Sequence, residues 1–86
     1  MTTAEVIIKN KIGLHARPAS DFVKCSLKFK SLVRLINQQG KSFDGKSIIS
    51  VLSAGIHQND KITISVQGDD EAAAIAALTS LIENMQ

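Results

Sequence analysis

A chain of 86 residues with a formal net charge of +2 has room for one domain, spanning 1–86, and for a limited core. Hydrophobic residues at 44% and charged residues at 21% exclude a disordered chain, and no apolar run approaches the roughly 20 residues that a membrane-crossing helix needs. No Lys or Arg neighbours another and the only aromatic side chains are Phe22, Phe29 and Phe43, so a basic stripe and a base-stacking platform are both missing and no nucleic-acid partner is expected.

The lone Cys25 cannot form an internal disulfide, and the N-terminal residues lack the basic, apolar and small-residue order of a secretory signal. A cytoplasmic location without membrane insertion is the expectation. Residues 4–9, AEVIIK, predict a first strand, and NKIG a loop after it. A helix follows, with Ala19, Phe22, Val23 and Ser26 as its inward stripe and Asp21, Lys24 and Lys28 on other faces. SLVRLINQ reads as a strand, although the adjacent Leu35 and Ile36 leave its buried face open, and QGK turns it into a short SFD strand.

Ser47 as a helix cap and Gly55 as a stop predict a helix of about two turns within KSIISVLSAG. In KITISVQG, Ile62, Ile64 and Val66 alternate with Thr63, Ser65 and Gln67, the pattern of a half-buried strand. The last helix opens on Asp69, Asp70 and Glu71 and carries Ala72, Ile75, Leu78, Ile82 and Met85 as its apolar stripe. The order is β-α-β-β-α-β-α. Strands apolar on one face, with three amphipathic helices, imply an α+β domain whose antiparallel or mixed sheet is covered on one side.

Chemistry concentrates in GLHARPAS, residues 13–20. Pro18 belongs in a first helical turn, where its missing N–H costs no hydrogen bond. Two starts are compatible with it: Arg17 as cap, because the residue before proline resists helical angles, or a helix from Ala16 capped by His15. On either, no Ser, Thr, Asp or Asn caps the helix, so its first N–H groups remain open to an external anion. An imidazole beside those donors, with a guanidinium two residues on, suits a transferable phosphoryl group. Helix end and Arg favour its oxygens, and an imidazole of ordinary pKa, about 6.5, is mostly the neutral nucleophile at neutral pH.

GLHARPAS, FVK, KSIISVLSAGI and DDEAAAIAAL together resemble the histidine-containing phosphocarrier (HPr) family of the bacterial sugar phosphotransferase system, over about Glu5 to Ile82. The resemblance implies an open-faced β-sandwich: a four-stranded antiparallel sheet with three helices on one face. It implies a carrier rather than an enzyme, without cofactor or metal and monomeric. His15 takes a phosphoryl group from enzyme I, originating in phosphoenolpyruvate, and gives it to sugar-specific IIA proteins, while Arg17 and the N–H groups of Ala16 and Arg17 hold the phosphate. Ser20, Lys24, Ile48, Ile49 and Leu52 occupy the family's partner-docking positions; core packing is the competing assignment for Ile49 and Leu52. Ser47 resembles the serine modified by an HPr kinase/phosphorylase, a state that would also engage a transcriptional regulator, and equally suits a plain cap. The hairpin before Ser47, within residues 31–46, is one residue longer than the common family pattern. A nitrogen-branch or regulatory paralogue would share this histidine chemistry.

A rival of another class lies in GKSFDGKS, Gly40 to Ser47, which satisfies the G-x-x-x-x-G-K-[ST] pattern of a nucleotide-phosphate loop. Such a loop works in a parallel βαβ sheet of greater length than this chain allows, with an Asp-ended apolar strand for magnesium that is missing here. Cys25 has no base at an informative spacing, and His57 in GIHQND reads as a loop residue. His15, Cys25 and His57 make no zinc-ligand pattern.

Overall fold

The computed structural model describes residues 1–85 as β1 (Thr2–Ile7), α1 (Ala16–Leu27), β2 (Leu32–Ile36), β3 (Ser42–Asp44), α2 (Ile48–Ser53), β4 (Lys61–Gln67) and α3 (Glu71–Glu83). The strands form one sheet in the order β1-β4-β2-β3, with every neighbouring pair antiparallel. Both the element order and the antiparallel sheet are those expected.

Register puts the apolar sets of three strands on one face. Val6 stands opposite Ile62, Ile64 lies between Ala4 and Leu35, and Val33 stands opposite Val66. Of these, Val6, Val33, Leu35, Ile62, Ile64 and Val66 meet Phe22, Ala19 and Val23 of α1, Val51 of α2, and Ala74, Leu78 and Ile82 of α3 in a single core. Each large side chain fully buried there contributes about 1.5–3 kcal/mol. The other face shows Glu5, Lys61, Arg34 and Gln67 to solvent, with Glu5 and Lys61 paired at 3.6 Å. Helices therefore cover only one side. In the hairpin, Arg34, Leu35 and Ile36 face Asp44, Phe43 and Ser42; Leu35 is buried and Ile36 half-buried, which assigns the face left open by their adjacency.

Two strand boundaries and one buried helix face differ from the sequence reading. The first strand runs over Thr2–Ile7 rather than 4–9, because Ile8 leaves the ladder to bond the 59–60 loop: its N–H donates to Asp60 O at 3.0 Å and its carbonyl accepts from Asn59 N–H at 2.6 Å. The second strand stops at Ile36, where Asn37 begins the turn by accepting on Oδ1 from Gln39 and Lys41 N–H. In α3 the buried line is Ala74, Leu78 and Ile82, with Ile75 and Met85 at its flank and Ala72 in solvent. Alanines give the segment 72–77 almost no apolar contrast, so Leu78 and Ile82 set the helix phase and bring Ala74 inward.

Of the three acids at the start of α3, Asp70 occupies the cap position without a side-chain bond to the helix. Its carboxylate accepts instead from Ser31 Oγ, from Lys30 N–H at 2.8 Å and from Ser31 N–H at 3.0 Å, tying α3 to the end of α1. These bonds, the Ser31 hydroxyl foremost, hold the Asp70 carboxyl below its usual pKa. Glu71 is lowered likewise, first by the Thr2 hydroxyl and then by Gly68 N–H.

Candidate functional site

The start of α1 is fixed by two loops that knit together. Leu14 N–H donates to Ile56 O at 3.1 Å, and Leu14 and Ile56 are both buried. Gly13 lies so close to the 56–57 backbone that a Cβ there would come within 2.7 Å of His57 Cα and collide with Ile56 O. Its φ of 67° is left-handed as well, so glycine is required twice over. Asn10 closes the turn, donating from Nδ2 to Gly13 O at 2.7 Å.

From this clamp the chain enters α1 through an extended His15, φ −123° and ψ 160°, which is the cap, and through Ala16 at φ 50°. The helix thus begins at Ala16, and of the two starts compatible with Pro18 this is the one adopted. Local sterics before proline favour Arg17 as cap; the clamp at Gly13 and Leu14 overrides them by delivering the chain one residue earlier. An alanine in the left-handed region is strained by about 1–3 kcal/mol.

No side chain caps this helix, and the N–H groups of Ala16 and Arg17 find no acceptor among the described residues. Neither lies within an intrahelical bond's reach, and both residues are exposed. The His15 ring is half-exposed rather than turned into the core. Arg17 makes no ion pair among the described residues and borders a groove of about 540 Å³ with Ile12, Pro18, Asp21, Leu81 and Met85. Two N–H donors of an open helix end lie beside an exposed imidazole, with an exposed arginine two residues on, the inventory that a bound phosphoryl group uses.

His57 belongs to this corner too. Its ring centroid lies 5.5 Å from that of His15, at an interplanar angle of 51°. Sequence reading placed it in a loop, which is correct, and missed its neighbour. The two histidines are 42 positions apart, and the bond from Leu14 to Ile56 with the close approach at Gly13 brings them together. Among the described residues there is no group of three or more metal-ligating side chains.

Ser47 caps α2 by accepting from Ser50 N–H at 3.3 Å. Val51 is the buried residue of that helix. Ile49, 74% exposed, and the exposed Ile48 and Leu52 leave an apolar surface, so packing in the core does not account for Ile49 and Leu52. α2 packs against α1, on which Ser20 is half-exposed and Lys24 exposed.

The segment 40–47 is not a phosphate loop. Its centre is strand β3, antiparallel to β2, and its N–H groups are already engaged: Gly45 with Val33 O at 2.8 Å, Asp44 with Ser50 Oγ at 2.9 Å, Lys46 with Asp44 Oδ1 at 2.9 Å and Ser47 with Asp44 O at 3.2 Å. Lys46 Nζ donates to Phe29 O at 2.7 Å, and a Cβ on Gly45 would sit 2.6 Å from Val33 Cγ1. This glycine lets a strand pass over the core. An antiparallel strand with engaged N–H groups cannot cradle a nucleotide phosphate, which overturns the nucleotide-binding alternative.

Comparison with known proteins adds an independent line. Residues 2–84 match the family model described as "PTS HPr component phosphorylation site". The chain is 42% identical over 86 residues to the phosphocarrier protein HPr of Mycoplasma pneumoniae, covering 100% of this chain and 98% of that one. It is 38% identical to the protein of the same name in Borreliella burgdorferi, covering 100% and 99%. The crystal structure of HPr-C-His from Thermoanaerobacter tengcongensis superimposes with a TM-score of 0.93 at 43% identity, covering 96% of this chain and 92% of that one.

Proposed function

The chain belongs to the HPr family, whose members are phosphocarrier proteins of the phosphotransferase system rather than enzymes, and we propose that His15 is the residue that carries the phosphoryl group. The supporting observation is the exposed helix start: an imidazole at the cap position and, among the described residues, two N–H groups without acceptors and a guanidinium in no ion pair. The donor is phosphorylated enzyme I, charged from phosphoenolpyruvate. The unprotonated ring nitrogen of His15 attacks phosphorus. A new N–P bond forms as the donor's bond to phosphorus breaks, and the donor keeps that electron pair. Ala16 N–H, Arg17 N–H and the Arg17 guanidinium hold the phosphoryl oxygens during the passage. Reversal of the same step onto a sugar-specific IIA protein completes the transfer.

Both partners dock on Ser20 and Lys24 of α1 and on Ile48, Ile49 and Leu52 of α2, a small preformed surface suited to brief contact by a monomeric cytoplasmic carrier. Phosphorylation of Ser47 by an HPr kinase/phosphorylase adds a dianion beside this apolar patch and opposes enzyme I, while creating the form read by a transcriptional regulator. No cofactor or metal takes part.

Incubation with enzyme I and phosphoenolpyruvate, followed by phosphate-affinity electrophoresis, tests the reading. The wild type shifts and His15→Ala does not. A wild type that never shifts refutes the sugar-branch role, and phosphorylation by a nitrogen-branch donor alone assigns the chain to that paralogue.

A further inference from the structure

We propose that His57 is a second phosphate-binding residue, whose ring N–H donates to the phosphoryl oxygens carried on His15. The inference rests on the reading of His15 as the phosphoryl acceptor and adds a residue from a different part of the chain.

Three observations carry it. First, the rings are near enough, with centroids 5.5 Å apart, for a group bonded to a His15 nitrogen to lie within hydrogen-bond reach of His57. Second, the approach is built rather than incidental. Gly13 admits the 56–57 backbone where no side chain would fit, and Leu14 N–H bonds Ile56 O at 3.1 Å. The loop is held from its other end by Ile8, which bonds both Asn59 and Asp60. Third, the His57 side chain is 71% exposed and makes no hydrogen bond of its own among the described residues. Asp60 Oδ2 accepts from the His57 backbone N–H at 2.9 Å and lies 3.9 Å from Nδ1, too far for a hydrogen bond to the ring. The carboxylate therefore anchors the backbone and leaves the ring N–H for another acceptor.

A phosphoryl dianion supplies that acceptor. Donors to its oxygens stabilise the charged ground state of phosphohistidine, so His57 lengthens the lifetime of the carried group against water, while Arg17 and the helix end bind it from the α1 side.

The test compares wild type, His57→Ala and His57→Gln after phosphorylation by enzyme I and phosphoenolpyruvate. Spontaneous loss of phosphate, followed by 31P NMR after removal of enzyme I, should be about tenfold faster in His57→Ala, the effect of one charge-assisted hydrogen bond. His57→Gln, whose amide keeps an N–H, should recover most of the lifetime. In the wild type, the His57 ring N–H resonance should sharpen and move on phosphorylation of His15, a response that a purely structural residue would not give. An unmoved His57 resonance, or equal hydrolysis rates in all three proteins, overturns the role of His57 and leaves that of His15 intact. Absence of any phosphohistidine in the wild type overturns both.

Discussion

Two helix starts in this molecule solve the same problem in opposite ways. At α2, Ser47 closes the end in the ordinary manner, accepting from Ser50 N–H, while Asp44 accepts from the two residues before the helix. At α1, the cap is a histidine whose side chain makes no cap bond, the first residue is strained, and two N–H groups have no acceptor among the described residues. One end is satisfied from within and serves stability; the other is left unsatisfied and suits an anion that comes and goes. The cost at α1 is borne by the neighbouring loop clamp and by Ala19 and Phe22, which anchor the helix in the core about one and two turns on.

The sharpest way to break the contrast is to release the clamp. Gly13→Val places a side chain against Ile56 O and His57 Cα at a left-handed φ, and should cost roughly 3 kcal/mol or more, lowering Tm by 10 °C or more on the usual scaling for a domain this small. Thermal unfolding checks it, and at temperatures where the variant remains folded its phosphorylation at His15 should also be slower. An intermediate effect is expected from charging the other start: Ser47→Asp should slow acceptance at His15 roughly tenfold, about 1.4 kcal/mol, with little change in Tm. A stopped time course with enzyme I measures this, and an unchanged rate removes charge at Ser47 as a control.

Ser47→Ala separates capping from function. It should lose about 0.5–1 kcal/mol in urea unfolding, given the long 3.3 Å bond, and leave the rate at His15 unaltered. The smallest effect lies away from both starts, at the acids of α3. Asp70 and Glu71 have lowered pKa values in the folded chain, so their stabilisation is fully present above the ordinary carboxylate range near pH 4 and fades as the pH falls through their lower folded values. Asp70→Asn should flatten that acid limb, seen as a smaller drop in the urea midpoint between pH 6 and pH 3 than in wild type.

Element types, their order and the place of His15 and Arg17 at an uncapped helix start were legible in the residues. Period-2 and period-3.6 patterns are local, and a proline in a first turn without a capping side chain announces itself within four positions. The alanine-rich stretch 72–77 defeated the same logic, since a pattern without contrast has no phase. The match of Gly40–Ser47 to a nucleotide loop likewise shows that a string of residue types does not determine where its N–H groups go; pairing with β2 had already engaged them.

What the sequence by itself determined is therefore everything that depends on spacing along the chain: strands, helices, one apolar face, and an imidazole and guanidinium at an uncapped helix start. Tertiary structure alone decided which residue begins α1, which face of α3 is buried, and that His57 stands beside His15. The physical reason is common to the three. Each depends on contacts between segments far apart in sequence, and a close approach such as Gly13 against His57 leaves no periodic trace in either segment.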